Sequence, residues 1–239
     1  MTARENALGQ PIGAPVPDWT PRAAPPRAMM QGRSCRLEPF DPARHAAPLF
    51  DAYAQDRAGR IWTYLPYGPF DSAGAFARFA DDTLCGDDPL FHVVVETETQ
   101  RPLGVASFLR IDRANGVIEV GHINFAPALQ RTVAATEAMY LMMVRVFDEL
   151  GYRRYEWKCD ALNAPSRRAA ERLSFVYEGT FRQATVYKGR NRDTAWFAIT
   201  DAEWPAVKRA FEAWLDPANF DGDGRQRLGL AEIRARMAG

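Results

Sequence analysis

Apolar and polar residues alternate along this chain with two different periods. Short runs such as 91–96, 103–112 and 117–125 are rich in β-branched and aromatic residues and end at polar turns, which predicts strands. Longer stretches repeat apolar residues every three or four positions, which predicts helices with one buried face. The predicted order is β-α-α-β-β-β-α-β-α-β-β, followed by one more helix that ends near residue 215.

Local signals mark where the predicted helices begin. Asp41 precedes Pro42, and Asp71 and Ser72 precede the second helical pattern. Asp and Ser side chains accept hydrogen bonds from first-turn N–H groups, and Pro is favoured at the first helical position. We therefore predict one helix after Asp41, a second after Asp71 or Ser72, and a third that covers roughly 134–150.

One connection between strands differs from the rest. Short polar turns join most neighbouring strands, which predicts antiparallel pairs, whereas the segment 134–150 is a full helix at the middle of the sheet. That crossover predicts a single parallel pair. The predicted fold class is therefore α/β (α+β), with a mixed, mostly antiparallel sheet of about seven strands and helices on both faces.

The distribution of proline and apolar residues divides the chain into three parts. Residues 1–33 contain six prolines among Ala, Gly and Arg. Such a stretch cannot bury enough apolar surface to offset the entropy lost on ordering, so we predict a flexible N-terminal arm. Residues 34–215 are the predicted folded domain, and residues 216–239 are a C-terminal tail.

Charge and cysteine content narrow the possible functions. Lys plus Arg and Asp plus Glu number 30 each, so no basic excess favours nucleic acid. No apolar run approaches the ~18 residues that span a membrane. Cys35, Cys85 and Cys159 stand apart, as is typical of free thiols in a reducing compartment, and the histidines lack metal-ligand spacing. We predict a cytoplasmic protein without a metal, membrane or nucleic-acid partner.

Two segments form a specific combination. A strand, a loop and a helix occupy 117–150, and a second strand, Asn163 and another helix follow at 153–174. The stretch NAPSRRAAERLSF follows the pattern N-x-x-S-x-x-x-x-x-x-L-G-F, with Ser174 in place of the glycine. Over about 34–215 the chain resembles the Gcn5-related N-acetyltransferase superfamily. Within it, the chain is similar to the branch that acetylates ribosomal-protein N-termini and its small-molecule relatives.

The resemblance implies an acetyl-CoA loop of the form Q/R-x-x-G-x-G/A, which aligns with QRTVAA at 130–135. Val133 stands at the first glycine, and a β-branched residue resists positive φ, so position 133 must be extended or right-handed helical. Free N–H groups of a helix N-terminus bind anions without glycine. The alternative is that the loop is only a connection.

The same resemblance implies how the rest of acetyl-CoA is held. The acetyl and pantetheine groups would meet the edge of the strand around 123–125, Asn163 would reach the pantetheine arm, and Arg168 would meet the phosphates. The cofactor-binding residues implied are Ile123, Asn124, Phe125, Gln130, Arg131, Thr132, Val133, Ala134, Ala135, Thr136, Asn163 and Arg168.

Acetyl transfer also needs a proton donor for the departing thiolate and a neutral amine. The family's usual tyrosine donor corresponds to Ala170 here, so the resemblance implies Ser166 instead, unless Ser166 is only a residue of the first helical turn. Glu119 and His122 are candidate bases on the strand that enters the site, and either can equally be structural. A water molecule is the remaining candidate for the base.

The segment WTYLPYGPF falls where the family places its acceptor-binding loop. Trp62, Tyr64 and Tyr67 could line that pocket, or they could pack onto the core or a partner. A closed aromatic loop and the absence of an obvious strong base favour a small acceptor with an α-amine. At pH 7 roughly a tenth of such amines are neutral, against fewer than about one in a thousand lysine side chains.

We therefore predict an acetyl-CoA-dependent N-acetyltransferase in which a small-molecule primary amine attacks the thioester directly. Two alternatives are a non-catalytic acyl-CoA-binding or interaction domain and a protein N-terminal acetyltransferase. A homodimer that uses residues 216–239 is left open, because no motif supports it.

Overall fold

Ten strands are present in the computed structural model, which describes residues 4–238. Two short strands pair with each other, and the other eight form the main sheet. In chain order the strands are β1 (Arg4–Glu5), β2 (Pro11–Ile12), β3 (Met30–Gln31), β4 (Cys35–Pro39), β5 (Leu90–Glu96), β6 (Pro102–Asp112), β7 (Val117–Phe125), β8 (Arg154–Asp160), β9 (Val176–Tyr187) and β10 (Arg190–Thr200). Residues 1–3 of the predicted arm and residue 239 of the predicted tail lie outside the described residues.

The helices follow the predicted order, with one more near the C-terminus. They are α1 (Pro42–Tyr53), α2 (Ala73–Thr83), α3 (Val133–Val144), α4 (Ala164–Arg172), α5 (Trp204–Leu215) and α6 (Leu230–Ala238). A π-helical turn, Arg145–Glu149, continues α3, and short 3₁₀ turns occupy Arg60–Trp62 and Pro217–Asn219. None of the described helices is long and apolar enough to cross a membrane.

The main sheet confirms the predicted mixed topology. Its strand order is β3-β4-β5-β6-β7-β8-β10-β9, and β7 with β8 is the parallel pair while the other described pairs are antiparallel. The sheet has eight strands rather than about seven, because β3 adds two residues at one edge. A two-residue strand has no hydrophobic period, so the sequence pattern gave no sign of it.

The predicted helix starts are confirmed by their hydrogen bonds. The Asp41 carboxylate accepts from the N–H groups of Ala43 and Arg44, and Ser72 Oγ accepts from the N–H of Ala75. Each cap satisfies backbone donors that have no partner within the helix.

Helices cover both faces of the sheet. From β4, Glu38 lies 3.2 Å from His45 Nε2 of α1, whereas the Cys35 thiol reaches the carbonyl of Ala134 in α3. Because successive strand residues point to opposite faces, α1 with α2 covers one face and α3 with α5 the other. Buried apolar side chains fill the space between the layers.

The two terminal segments lie against this domain. Trp19 Nε1 donates to the carbonyl of Ala114, and Tyr152 OH donates to that of Ala23, so the N-terminal segment crosses the end of the sheet where β7 begins. Leu230 and Ile233 of α6 are buried. The three-part division predicted from the sequence remains a prediction, although both terminal segments contact the domain.

Candidate active site

The parallel pair at the centre of the sheet is incomplete. Strand β7 pairs with β8 from Val117 opposite Arg154 only as far as Val120 opposite Trp157. Beyond that point β7 continues to Phe125, while β8 pairs onward with β10. The edge of β7 from 121 to 125 therefore lacks a β8 partner. Backbone N–H and C=O groups without a ladder partner can bind an extended ligand.

Beyond Val120 the strands β7 and β8 separate, and we call the gap between them the cleft. A β-bulge turns β7 where this cleft opens. Three steps along β7, from Gly121 to Asn124, match two steps along β6, from Ser107 to Val105. His122 at this bulge has φ of 50°, in the left-handed region. A bulge redirects a side chain out of the regular alternation, so sequence spacing along β7 does not determine on which face His122 lies relative to Glu119.

The His122 imidazole packs against Tyr67, a residue of the aromatic segment 62–70, which is called the acceptor loop below. Its ring lies parallel to that of Tyr67, with centroids 5.7 Å apart, and its Nδ1 is 3.1 Å from the Tyr67 hydroxyl. Burial lowers the pKa of His122 to about 4, helped by the positive charges of Arg110 and Arg192. The ring is therefore neutral near pH 7, and no described residue hydrogen-bonds to Nε2.

Glu119 occupies a different environment on the paired half of β7. It is only 3% exposed, and Arg110 Nη1 lies 2.8 Å from both carboxylate oxygens. Lys158 Nζ is 2.9 Å from Oε2. Both carboxylate oxygens of Glu119 are therefore engaged by cations of the protein. Of the two candidate bases, Glu119 has its carboxylate oxygens occupied, whereas His122 keeps Nε2 without a partner among the described residues.

The loop between β7 and α3 answers the question raised by its missing glycine. Val133 is the first residue of α3, in right-handed conformation, and Thr132 caps the helix by accepting from the N–H of Ala135 at 3.1 Å. The positive φ of the loop, 65°, falls on Arg131 instead. The N–H groups of Val133 and Ala134 precede the first intrahelical bond and are free to bind an anion.

Other residues predicted to bind the cofactor have mixed roles. Gln130 is exposed, and its Nε2 donates to the carbonyl of Phe125 at 2.9 Å, which ties the side chain to the end of β7. Arg131 and Arg168 are exposed. A surface groove of about 420 Å³ borders 132–134, so the first turn of α3 is accessible to a ligand.

The start of α4 positions Ser166 on the other side of the cleft. Asn163 Oδ1 caps the helix by accepting from the Ser166 N–H at 3.1 Å. Trp157 Nε1 donates to Ser166 Oγ at 3.0 Å, which leaves the Ser166 hydroxyl proton available. Burial raises the pKa of the Cys159 thiol, but the adjacent Ser166 hydroxyl opposes that rise.

The aromatic loop spans the cleft. Tyr64 OH donates to the Leu162 carbonyl at 3.1 Å, at the β8–α4 connection. From the β9–β10 hairpin, Lys188 Nζ donates to the Trp62 carbonyl at 2.8 Å, and Arg190 Nη2 donates to the Thr63 carbonyl at 2.9 Å. Three hydrogen bonds therefore hold the loop over the open part of the sheet.

One of the three predicted pocket residues has another role. The Trp62 side chain is 6% exposed and packs edge-on against Tyr53 and Phe70. It therefore belongs to the core beneath the loop and does not line an open pocket. Among residues 4–238, no group of three or more His, Cys, Asp or Glu side chains is placed to hold a metal ion.

Sequence reasoning did not find the cations around this cleft. Arg110, Lys158 and Arg192 reach it from three different strands. The alternation of Arg190 and Arg192 in "RNRDTAW" was the available signal, since residues two apart in a strand share a face.

Comparison with known proteins identifies the family. The family model described as acetyltransferase (GNAT) domain matches residues 35–176, more than half of the chain. The chain belongs to the GNAT acetyltransferase family. The protein is therefore an N-acetyltransferase, and GNAT enzymes use acetyl-CoA as the acetyl donor.

Individual GNAT relatives agree with this assignment. The crystal structure of a GCN5-related N-acetyltransferase from Brucella melitensis is 48% identical, with a TM-score of 0.90 and coverage of 92% of this chain and 100% of that chain. A probable GNAT acetyltransferase from Chromobacterium violaceum is 42% identical, with a TM-score of 0.76 and coverage of 82% and 98%. An uncharacterized N-acetyltransferase, p20, of Bacillus licheniformis is 31% identical over 65% of this chain and 87% of its own length. These relatives favour the enzyme over a non-catalytic acyl-CoA-binding domain.

Proposed function

We propose that this GNAT enzyme acetylates the α-amine of a small molecule by direct attack on acetyl-CoA within a ternary complex. The observation that supports a small acceptor best is the loop 60–67, held across the cleft by hydrogen bonds from Tyr64, Lys188 and Arg190. A loop fixed on both sides narrows access for a folded protein substrate. A compact molecule would approach the thioester beside His122.

Acetyl-CoA fits the residues on the other side of the cleft. The unpaired edge of β7 at 123–125 would bond the pantetheine arm as an added strand does. The free N–H groups of Val133 and Ala134 would face the pyrophosphate. Arg131 and Arg168, both exposed, would contribute charge to the phosphates, and Asn163 would use its free amide nitrogen on the pantetheine arm.

In the proposed reaction His122, at the bulge of β7, handles the proton of the amine, and Ser166, across the cleft, acts on the leaving thiolate. His122, neutral near pH 7, accepts a proton from the amine as the amine nitrogen bonds to the thioester carbon. A backbone N–H on the unpaired edge of β7 polarises the carbonyl oxygen. The carbon–sulfur bond breaks, and Ser166 hydrogen-bonds or donates its proton to the thiolate while Trp157 holds its oxygen.

The environment of His122 favours an α-amine over a lysine side chain. A base whose pKa is about 4 removes protons weakly, so the amine must arrive largely neutral. Near pH 7 roughly a tenth of α-amines are neutral, against fewer than about one in a thousand lysine amines. This difference supports an α-amine acceptor over a lysine side chain.

A competition experiment tests the acceptor class. The enzyme is incubated with acetyl-CoA, free amino-acid derivatives and lysine-containing peptides blocked at their N-termini, and the products are read by mass spectrometry. We expect acetylated amino-acid derivatives. Preferential acetylation of the blocked peptides at lysine would show the proposal to be wrong. Acetylation of peptides with free N-termini, and not of amino acids, would instead favour the ribosomal-protein-like branch.

The branch within the family, a homodimer and a cytoplasmic location remain predictions. Size-exclusion chromatography with light scattering would decide whether two copies associate.

A further inference from the structure

The hairpin that closes the cleft is rich in positive charge. Lys188, Arg190 and Arg192 lie at its turn and on β10, and among residues 4–238 no carboxylate lies within salt-bridge distance of any of them. Lys188 and Arg190 each donate to a carbonyl of the acceptor loop. Arg192 is left with one weak contact, from its Nε to Thr194 Oγ1 at 3.2 Å.

Arg192 is half-buried, and its terminal nitrogens have no hydrogen-bond partner among the described residues. Because Arg192 is only half-buried, those nitrogens remain open to a ligand, and no described carboxylate competes for them. Asp160, whose strand partner is Thr194, could have paired with it. That carboxylate instead accepts from Tyr187 OH at 2.8 Å and from the N–H of Leu162.

The position of Arg192 places its charge at the cleft. Its guanidinium lies 5.9 Å from the centroid of the Tyr187 ring, and Tyr187 OH donates to Asp160 at the end of β8, beyond the point where β8 pairs with β7. The positive charge contributes to the lowered pKa of His122 and opposes the rise that burial causes in the pKa of Cys159. These two residues stand on opposite strands of the opening. Arg110 also acts on His122, but Glu119 already neutralises Arg110.

We propose that Arg192 binds a negatively charged group, carboxylate or phosphate, on the acceptor that presents its amine to His122. This proposal rests on the proposed function and specifies it further: the acceptor is an anionic amine. The planar guanidinium has two adjacent donors that match two oxygens of such a group. An acceptor without the anion leaves that guanidinium unpaired, so the site discriminates against it.

Matched acceptors test this inference. Initial rates are measured for an α-amino acid, its uncharged α-amide and an aminoalkyl phosphate, each across pH so that the values refer to the neutral amine. We expect a lower KM for one of the anionic acceptors than for the amide. A preference for the amino acid identifies carboxylate, and a preference for the phosphate identifies a phosphate group.

Variants distinguish a specific contact made by Arg192 from an effect of the overall positive charge of the hairpin. Arg192→Gln should raise KM for the preferred anionic acceptor about tenfold or more relative to KM for the amide, with KM for acetyl-CoA near wild type. A change in the basicity of His122 acts on both acceptors alike, so the ratio of the two KM values isolates the anion contact. Arg192→Lys should restore part of the loss. Arg182→Gln, an exposed charge on the same hairpin, should leave all three acceptors unaffected.

Equal losses for the anionic and neutral acceptors in Arg192→Gln, or no wild-type preference between them, would overturn the inference. Those outcomes come from a comparison of small amines with one another. They are therefore distinct from failure of the proposed function, in which blocked lysine peptides outcompete every small amine.

Discussion

The two halves of β7 belong to one continuous strand but have different neighbours. From Val117 to Val120 the strand is paired on both edges, and Glu119 in this half has its carboxylate fixed by Arg110 and Lys158. From Gly121 to Phe125 the strand is paired only with β6, and His122 in this half keeps a nitrogen without a described partner.

This difference shows how one strand can serve stability and chemistry at once. Where the sheet is complete, polar side chains on it are buried and must find partners within the protein, so they are not available to a ligand. Where the sheet opens, the edge of β7 lacks a β8 partner, and His122 keeps one nitrogen without a described partner. Glu119 and His122 are close in sequence, yet the boundary of strand pairing between them separates their roles.

The largest effect on stability is expected from a substitution in the paired half of β7. Glu119→Gln removes the charge between two cations, one of which, Lys158, is nearly buried. Breaking a buried ion pair typically costs 3–5 kcal/mol, and because Lys158 keeps Glu156 we expect about 3 kcal/mol of lost unfolding free energy. Urea unfolding measures this loss of unfolding free energy. The kcat of the folded variant should change little.

The matched control for Glu119 removes both buried charges. Glu119→Leu combined with Lys158→Leu should recover most of the lost stability, because no unpaired buried charge remains. If Glu119→Gln instead retained full stability and lost turnover, Glu119 would be the base and the comparison would be broken.

On the unpaired half, the effect should appear in rate. His122→Asn keeps a residue that tolerates positive φ, so the bulge should persist while the imidazole is lost. We expect kcat/KM to fall by about a hundredfold, the low end for a general base, with little change in unfolding free energy. His122→Val, which resists positive φ, should in addition distort the cleft.

The pH profile gives an independent readout of His122. Because its pKa is lowered to about 4, the proton-accepting form is present above that pH and is lost only as the pH falls through it. Wild-type kcat/KM should therefore rise toward the pKa of the acceptor amine, near 8, with no step near 6.5. A step near 6.5 that disappears in His122→Asn would contradict this assignment of the pKa.

A smaller effect is expected across the cleft, at Ser166. Ser166→Ala removes the hydroxyl that Trp157 orients, so kcat should fall by about tenfold while CoA affinity stays near wild type. Ser174→Ala is the control, since that hydroxyl bonds Arg234 and not a group of the cleft. Unchanged turnover in Ser166→Ala would mean that water protonates the thiolate.

The smallest effect is expected at the start of α3. Val133→Gly leaves the N–H groups of the first turn in place, so the dissociation constant for CoA should change by less than about threefold. Titration calorimetry measures it. A much tighter complex would show that glycine is needed at this position after all. If the wild-type protein fails to bind CoA at millimolar concentration, this loop is not a phosphate site.

The features that could be predicted from sequence are those set by neighbouring residues. Asp41 and Ser72 cap helices that begin at the next residue, and the β-branched side chain of Val133 disfavours a positive φ at that position. Both effects depend on local chemistry, so the sequence was sufficient to predict them. The cations around Glu119 and the free charge of Arg192 depend on strands brought together by the fold. Sequence spacing contains no record of those contacts. The same holds for Trp62, whose burial depends on Tyr53 and Phe70.

The N-terminal segment has a practical consequence for handling the protein. Residues 7–18 are exposed, whereas Trp19 lies so close to Gly116 that a Cβ there would come within 2.4 Å of its ring. Protease digestion from this end should therefore proceed easily to residue 18 and slow at Trp19, because cleavage needs unpacked backbone. The segment also lies at the end of the sheet where β7 begins, away from the cleft. An affinity tag attached to the N-terminus would thus leave the route for acetyl-CoA and amine clear.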